Sequence, residues 1–216
     1  MKNVPKQCVY CAVKSGTTSD HVPPEQMFPD PKPSNLITVP ACSGCNKGFQ
    51  RDEDYFRSLF GIIGAPTEQD EPEFWAKVGR GLQRSPALQK TITDSLRSGT
   101  MVNPDAEEVG QWTEIEDNWY RVVALIGKCV RGLYFFEMSR ALPPAVEIEC
   151  PQRGDGPIDL GSLYSLTRHG KRRWPGIFEY RYRVAADDPT ASAWILTFYW
   201  TFVYTAFTGR VHIDQL

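Results

Sequence analysis

Two cysteine pairs, Cys8-Val9-Tyr10-Cys11 and Cys42-Ser43-Gly44-Cys45, are the residues of this 216-residue chain whose spacing points most directly to chemistry. Two residues between cysteines let both sulfurs turn toward one ion, and two such pairs complete a tetrahedral Zn²⁺ shell. Thirty residues lie between Cys11 and Cys42, more than the usual zinc-ribbon interval, so a sizeable segment is looped out between the pairs. The competing readings are four buried free cysteines or a redox dithiol. The presence of two pairs argues against the first, and the lack of a βαβ context argues against the second. Four thiolates leave no open position for water or substrate, so the ion is expected to be structural. Any catalysis would fall to what it holds in place.

The looped-out segment contains Ser19-Asp20-His21-Val22-Pro23-Pro24, which holds one of only three histidines in the chain. The prolines disfavour a helix start, so Asp20 and His21 are expected at the end of a strand or in the loop after it. A histidine that titrates near neutrality can take a proton from water. A carboxylate and an amide oxygen are hard ligands suited to Mg²⁺ or Mn²⁺. Asn35 and Asn46 follow within reach, and Gln50 and Glu53 share the face of Asn46 if a helix starts there. Taken alone, Asp20-His21 would read as an ordinary loop and Asn35 as a turn residue.

The series CVYC, SDHVPP, SNLITVPACSGCNKGF resembles the HNH nucleases, members of the ββα-metal or His-Me finger group. The resemblance covers roughly residues 8–60, about a quarter of the chain, with several independent elements in order. It implies that His21 is the general base, that Asp20 is a ligand of the catalytic ion, and that Asn35 bonds the loop backbone to hold the histidine. Asn46 matches the second protein ligand, and Glu53 is a further candidate ligand, with an exposed helix acid as the alternative. The implied ions are a structural Zn²⁺ and a catalytic Mg²⁺ or Mn²⁺. The implied activity is endonucleolytic hydrolysis of nucleic acid, double-stranded DNA favoured over RNA, in a defence or mobile-element setting. One departure is Phe49, where many members carry a polar residue; Lys47 could still reach a phosphate, as could Arg51. A zinc-stapled module that binds DNA or protein without catalysis is the alternative.

These groups need elements to position them. Successive residues of an extended strand point to opposite sides, so a twist or bulge is expected to let both Asp20 and His21 address one site. Leu36–Val39 reads as a short strand, and a helix follows Asn46 with Phe49, Phe56 and Phe60 on one face. Gly64-Ala65-Pro66 should end it. Further helices are expected over 72–83 and from Ser85-Pro86 to Gly99, and the strongest over 115–142. The segments IFEYRYRVA, AWILTFY and TFVYTAFT read as strands. The fold class is therefore α+β: a zinc-stapled ββα-metal module over 1–62, then a helical region and a small antiparallel sheet over 63–216. Cys129 and Cys150 look structural. Trp112, Trp119, Trp194 and Trp200 sit in apolar contexts and are expected in the core.

Composition, with 41% hydrophobic and 23% charged residues, is that of a globular protein, and no apolar run suits a bilayer. The N-terminus lacks an apolar signal core, so a cytoplasmic location is expected. The net charge of −2 hides a basic stretch at Arg168, His169, Lys171, Arg172 and Arg173, which reads equally as a phosphate-contacting surface or a solvated loop. The short sheet has edges to protect, which pairing with a second copy of the chain would cover.

Overall fold

The structure, a computed structural model, describes residues 7–63, 72–103, 105, 107–115, 118–152 and 159–209. It is mixed α and β, with a small antiparallel sheet toward the C-terminus. Strands β1 (Thr18–His21) and β2 (Thr38–Ala41) pair as an antiparallel hairpin, and helices α1 (Ser43–Gly48) and α2 (Gln50–Ile63) follow directly. The register is regular, with Asp20 opposite Val39 and His21 opposite Thr38. The expected bulge does not form, because the ladder continues undisturbed through Val22, whose amide donates to the Ile37 carbonyl. Asp20 and His21 therefore point to opposite faces, one buried and one half-exposed.

Helices α3 (Pro72–Arg84) and α4 (Pro86–Ser95) lie where the sequence pattern places them, and the Ser85 hydroxyl caps α4 by accepting from the Leu88 amide. The helix does not run on to Gly99. Strand β3 (Leu96–Val102) begins at once and pairs with β4 (Glu108–Ile115), setting Gly99 opposite Trp112 and Leu96 opposite Ile115. Ser98, Gly99 and Thr100 are poor helix formers, and Val109, Trp112, Thr113 and Ile115 favour a pleated ladder, so hairpin pairing wins over helical spacing. Accordingly the long helix α5 starts at Trp119 and ends at Met138, where Ser139 takes a left-handed conformation. The expected stop at Gly64-Ala65-Pro66 and the Trp112 side chain lie outside the described residues.

The C-terminal sheet is antiparallel, in the order β5 (Ile148–Glu149), β9 (Phe202–Thr208), β8 (Ser192–Phe198), β7 (Phe178–Val184), β6 (Arg168–His169). Along β7 the alternation works as the sequence suggests: Phe178, Tyr180 and Tyr182 are buried, and the residues between them face outward. Central strand β8 is buried on both faces, because α6 (Leu160–Leu166) lays Leu163 against Ala193, Ile195 and Phe207. Trp194 is in the core. Trp200 is not: it is 64% exposed at the β8–β9 turn, in a left-handed conformation that turns its ring outward. Trp119 is half-buried.

Side chains from both sides of the expected 62/63 division share one apolar core. Phe56 and Phe60 of α2 pack on Phe198, Tyr204 and Phe202 of the C-terminal sheet. Burying each phenylalanine is worth about 1.5–3 kcal/mol, well above the few tenths of a surface helix pair, so this packing fixes where α2 lies. Among the described residues, no helix is long and apolar enough to cross a membrane.

Candidate functional site

The four cysteine sulfurs of Cys8, Cys11, Cys42 and Cys45 lie within 4.8 Å of one another. Tetrahedral zinc–sulfur bonds of about 2.3 Å would set the sulfurs about 3.8 Å apart, so the cluster suits such an ion. Local backbone builds each knuckle. Cys8 donates its amide to Lys14, Ala12 turns at φ 50°, and Val9 bonds the Pro40 carbonyl of the hairpin. Cys42 caps α1, its sulfur accepting from the Cys45 amide at 3.4 Å. Backbone donors at Lys14 and Val13 lower the Cys11 thiol to about 6, and the Cys45 amide lowers that of Cys42. Burial among the other sulfurs pushes Cys45 up. Four cysteines are thus placed to hold a metal ion such as zinc.

The second knuckle points α1 at the hairpin. Asn46 donates from Nδ2 to Thr18 Oγ1 at 3.1 Å and to the Ser19 carbonyl at 3.3 Å, which fixes its side chain against β1. A cleft of about 270 Å³ opens there, lined by Thr18, Gln26, Asn46, Lys47, Gln50 and Glu53. Beneath it Asp20 is buried, and both of its oxygens are engaged. Oδ2 accepts from the Tyr10 hydroxyl at 2.7 Å, and Oδ1 accepts from Lys128 Nζ at 3.0 Å. The same ammonium contacts Glu53 Oε1 and lies 3.5 Å from the His21 carbonyl.

Burial raises the Glu53 carboxyl and the nearby Asp20 adds to it, while Lys128 pulls the other way. For Lys128 burial opposes the charge, but Glu53 and Asp20 outweigh it and hold its pKa above the ordinary value. The ammonium therefore stays charged between two carboxylates. Burial, and then Asp20, raise the Tyr10 phenol, so it remains a donor.

On the other face of β1, His21 Nδ1 lies 3.7 Å from Glu25 Oε2, which also meets Lys32 Nζ at 3.5 Å. The site residues read from the sequence thus divide. Asp20, Asn46 and Glu53 gather beside the cleft, and His21 is next to Asp20 on the strand but turned away from it.

Asn35 goes elsewhere. Its Oδ1 accepts from Trp174 Nε1 at 3.0 Å and its carbonyl accepts from Arg172 at 2.9 Å, so it ties the segment before β2 to the C-terminal basic stretch rather than to the His21 loop. Lys47 is exposed at the rim of the cleft, and Arg51 is exposed with its carbonyl bonded to Arg121. In the basic stretch Arg168 lies over the Tyr182 ring, Lys171 bonds Glu137, and Arg173 is exposed. Lys128 and Tyr10 were not singled out by sequence reasoning. The signal for Lys128 was a charge set among Val122–Gly127 and Cys129-Val130 of α5, four residues before Gly132, which shares its face.

Comparison with models of known families, with curated proteins and with solved structures finds no match for this chain.

Proposed function

We propose that this chain is an endonuclease of the HNH kind that hydrolyses nucleic-acid phosphodiester bonds, double-stranded DNA before RNA, in the cytoplasm. The observation that carries the reading is the hairpin-plus-helix arrangement. It sets Asn46 and Glu53 in one cleft, with Asp20 buried behind Glu53 across the Lys128 ammonium, His21 next on the strand and a four-cysteine cluster at the start of α1. Asp20, Glu53 and Asn46 are oxygen donors of the sort a hard cation takes, and they are the residues that would hold Mg²⁺ or Mn²⁺. Such an ion, when bound, supplies Lewis-acid stabilisation of charge on the phosphate and leaving oxygen. The resemblance gives the water's proton to His21, which has Glu25 beside Nδ1 and lies on the face of β1 opposite Asp20, so the two act on one phosphate only where it lies across the end of the strand. The water oxygen bonds phosphorus as the bond to O3′ breaks, O3′ takes a proton from solvent water and His21 returns its own to solvent, so the products are a 3′-hydroxyl and a 5′-phosphate. In this reading Lys47 at the cleft rim, the exposed Arg51 and Arg173, and Arg168, Lys171 and Arg172 of the basic stretch would meet backbone phosphates.

The test is supercoiled plasmid incubated with zinc-loaded protein and Mg²⁺ or Mn²⁺, beside His21→Ala and an EDTA control. Nicking that needs both the ion and His21 supports the reading. Equal nicking by His21→Ala, with its fold intact by circular dichroism, refutes the assignment of the base.

One observation favours a second reading, a zinc-stapled module that binds DNA or protein without catalysis. Both oxygens of Asp20 are already taken, by Tyr10 and Lys128. DNA binding without cutting on any substrate or with either ion, by the wild type and by Lys128→Met alike, would select it.

A further inference from the structure

Lys128 has no exposed side-chain surface. Lysine is almost never fully buried unless it is paired. Its ammonium has three protons to donate, and three oxygens surround it: Asp20 Oδ1, Glu53 Oε1 and the His21 carbonyl. Two carboxylates and a carbonyl converging on one point form the donor set of a hard divalent cation. Here that point is filled by a side chain from α5, 108 residues along the chain from Asp20.

Resting on the nuclease reading above, the geometry points to Lys128 as a built-in occupant of the cation site. While α5 packs on the β1–β2 hairpin, its Lys128 ammonium keeps a divalent ion off Asp20 and Glu53, and the nuclease is latent. The lysine also has somewhere to go. A cleft of about 510 Å³ lies on its other side, lined by Tyr10, Phe49, Glu147 and Glu149 among others. Both glutamates there are exposed, and the ammonium already stands 5.6 Å over the Phe49 ring. A swing of the lysine into that cleft, whose wall also carries Arg131, would take it from Asp20 and Glu53 toward Glu147 and Glu149. It leaves Asp20 and Glu53 with two uncompensated charges, which a divalent ion then neutralises.

The experiment measures Mn²⁺ binding to the zinc-loaded full chain, read from the electron paramagnetic resonance signal of free aqueous Mn²⁺. Methionine keeps the bulk of the lysine stem and removes the charge, so Lys128→Met is expected to bind one Mn²⁺ per chain at least about tenfold more tightly than the wild type, as expected when a competing positive charge is removed from the same carboxylates. That gain should vanish in Lys128→Met/Asp20→Asn. Should Lys128→Met fail to fold, Lys128→Met/Glu53→Gln removes one charge of each sign and retains Asp20, and it too should exceed the wild type. Equal Mn²⁺ affinity in the wild type and the folded variant overturns the proposal, as does a gain that does not depend on Asp20. Cleavage does not enter this readout. Tighter binding with no cutting by any form keeps the lock and removes the nuclease, whereas cutting by the wild type with unchanged affinity in the variant does the reverse.

Discussion

Replacing Gly132 with alanine tests how closely α5 is seated on the strand that carries Asp20 and His21. A Cβ built at Gly132 would stand 2.5 Å from Cγ2 of Val22, and 3.1 and 3.2 Å from its Cγ1 and Cβ. Carbon atoms at their optimum are about 3.5–4.0 Å apart, so the closest pair must separate by about 1 Å. Val22 is fully buried and β-branched, which leaves it little rotamer freedom to yield. Overpacking of this kind costs about 1–3 kcal/mol, and alanine returns up to about 1 kcal/mol of helix propensity over glycine. The expected net loss is therefore between about zero and about 2 kcal/mol. Val22→Ala alone removes two methyl groups, about 1.6 kcal/mol of transfer free energy at about 0.8 kcal/mol each before any cavity penalty. Combined, the new methyl at 132 occupies the space vacated at 22. The double variant should then be less destabilised than the sum of the singles, by about 1 kcal/mol or more. Urea unfolding of the zinc-loaded protein measures all four corners of the cycle. Strict additivity in the double variant would refute the close seating of α5.

Two further outcomes follow from the same packing. Removing the metal with a chelator should unfold the hairpin and α1, since binding energy at a four-thiolate site is folding energy; Co²⁺ substitution should give thiolate charge-transfer absorption that Cys42→Ser reduces, and a chelated protein with unchanged circular dichroism would count against a structural metal. Glu137, whose side chain is buried, is raised by burial but more than compensated by the Lys171 amide and side chain and the hydroxyls of Tyr180 and Tyr182, which hold its carboxyl below 4.5. A depressed folded value means its stabilisation is complete above the unfolded value and fades as pH falls through the folded one. Glu137→Gln should therefore lose roughly 2 kcal/mol at neutral pH and show a shallower loss of stability below pH 4.5 than the wild type, by urea midpoints across pH; parallel pH profiles would dismiss the role.

What could be read along the chain was whatever depends on near neighbours. Cysteine spacing forecast the knuckles, aromatic–charged alternation forecast β7, and apolar spacing forecast most of α5. Boundaries failed where two local preferences competed, as at Leu96–Val102, where β3 pairs with β4 and only the partner strand decides the contest. Trp200 failed for the same reason: its apolar setting in sequence is a turn in space. The candidate site was legible as a set of residue types, not as an arrangement. That Asp20 meets Lys128, that Asn35 meets Trp174 and that His21 faces away from Asp20 depend on how α5 and the C-terminal sheet fold back on the hairpin. The physical reason is that pattern and propensity act over a few residues, whereas desolvation sets the terms for a buried charge. A lysine taken out of water must find carboxylates wherever the packed chain offers them, and here they stand 75 and 108 residues away.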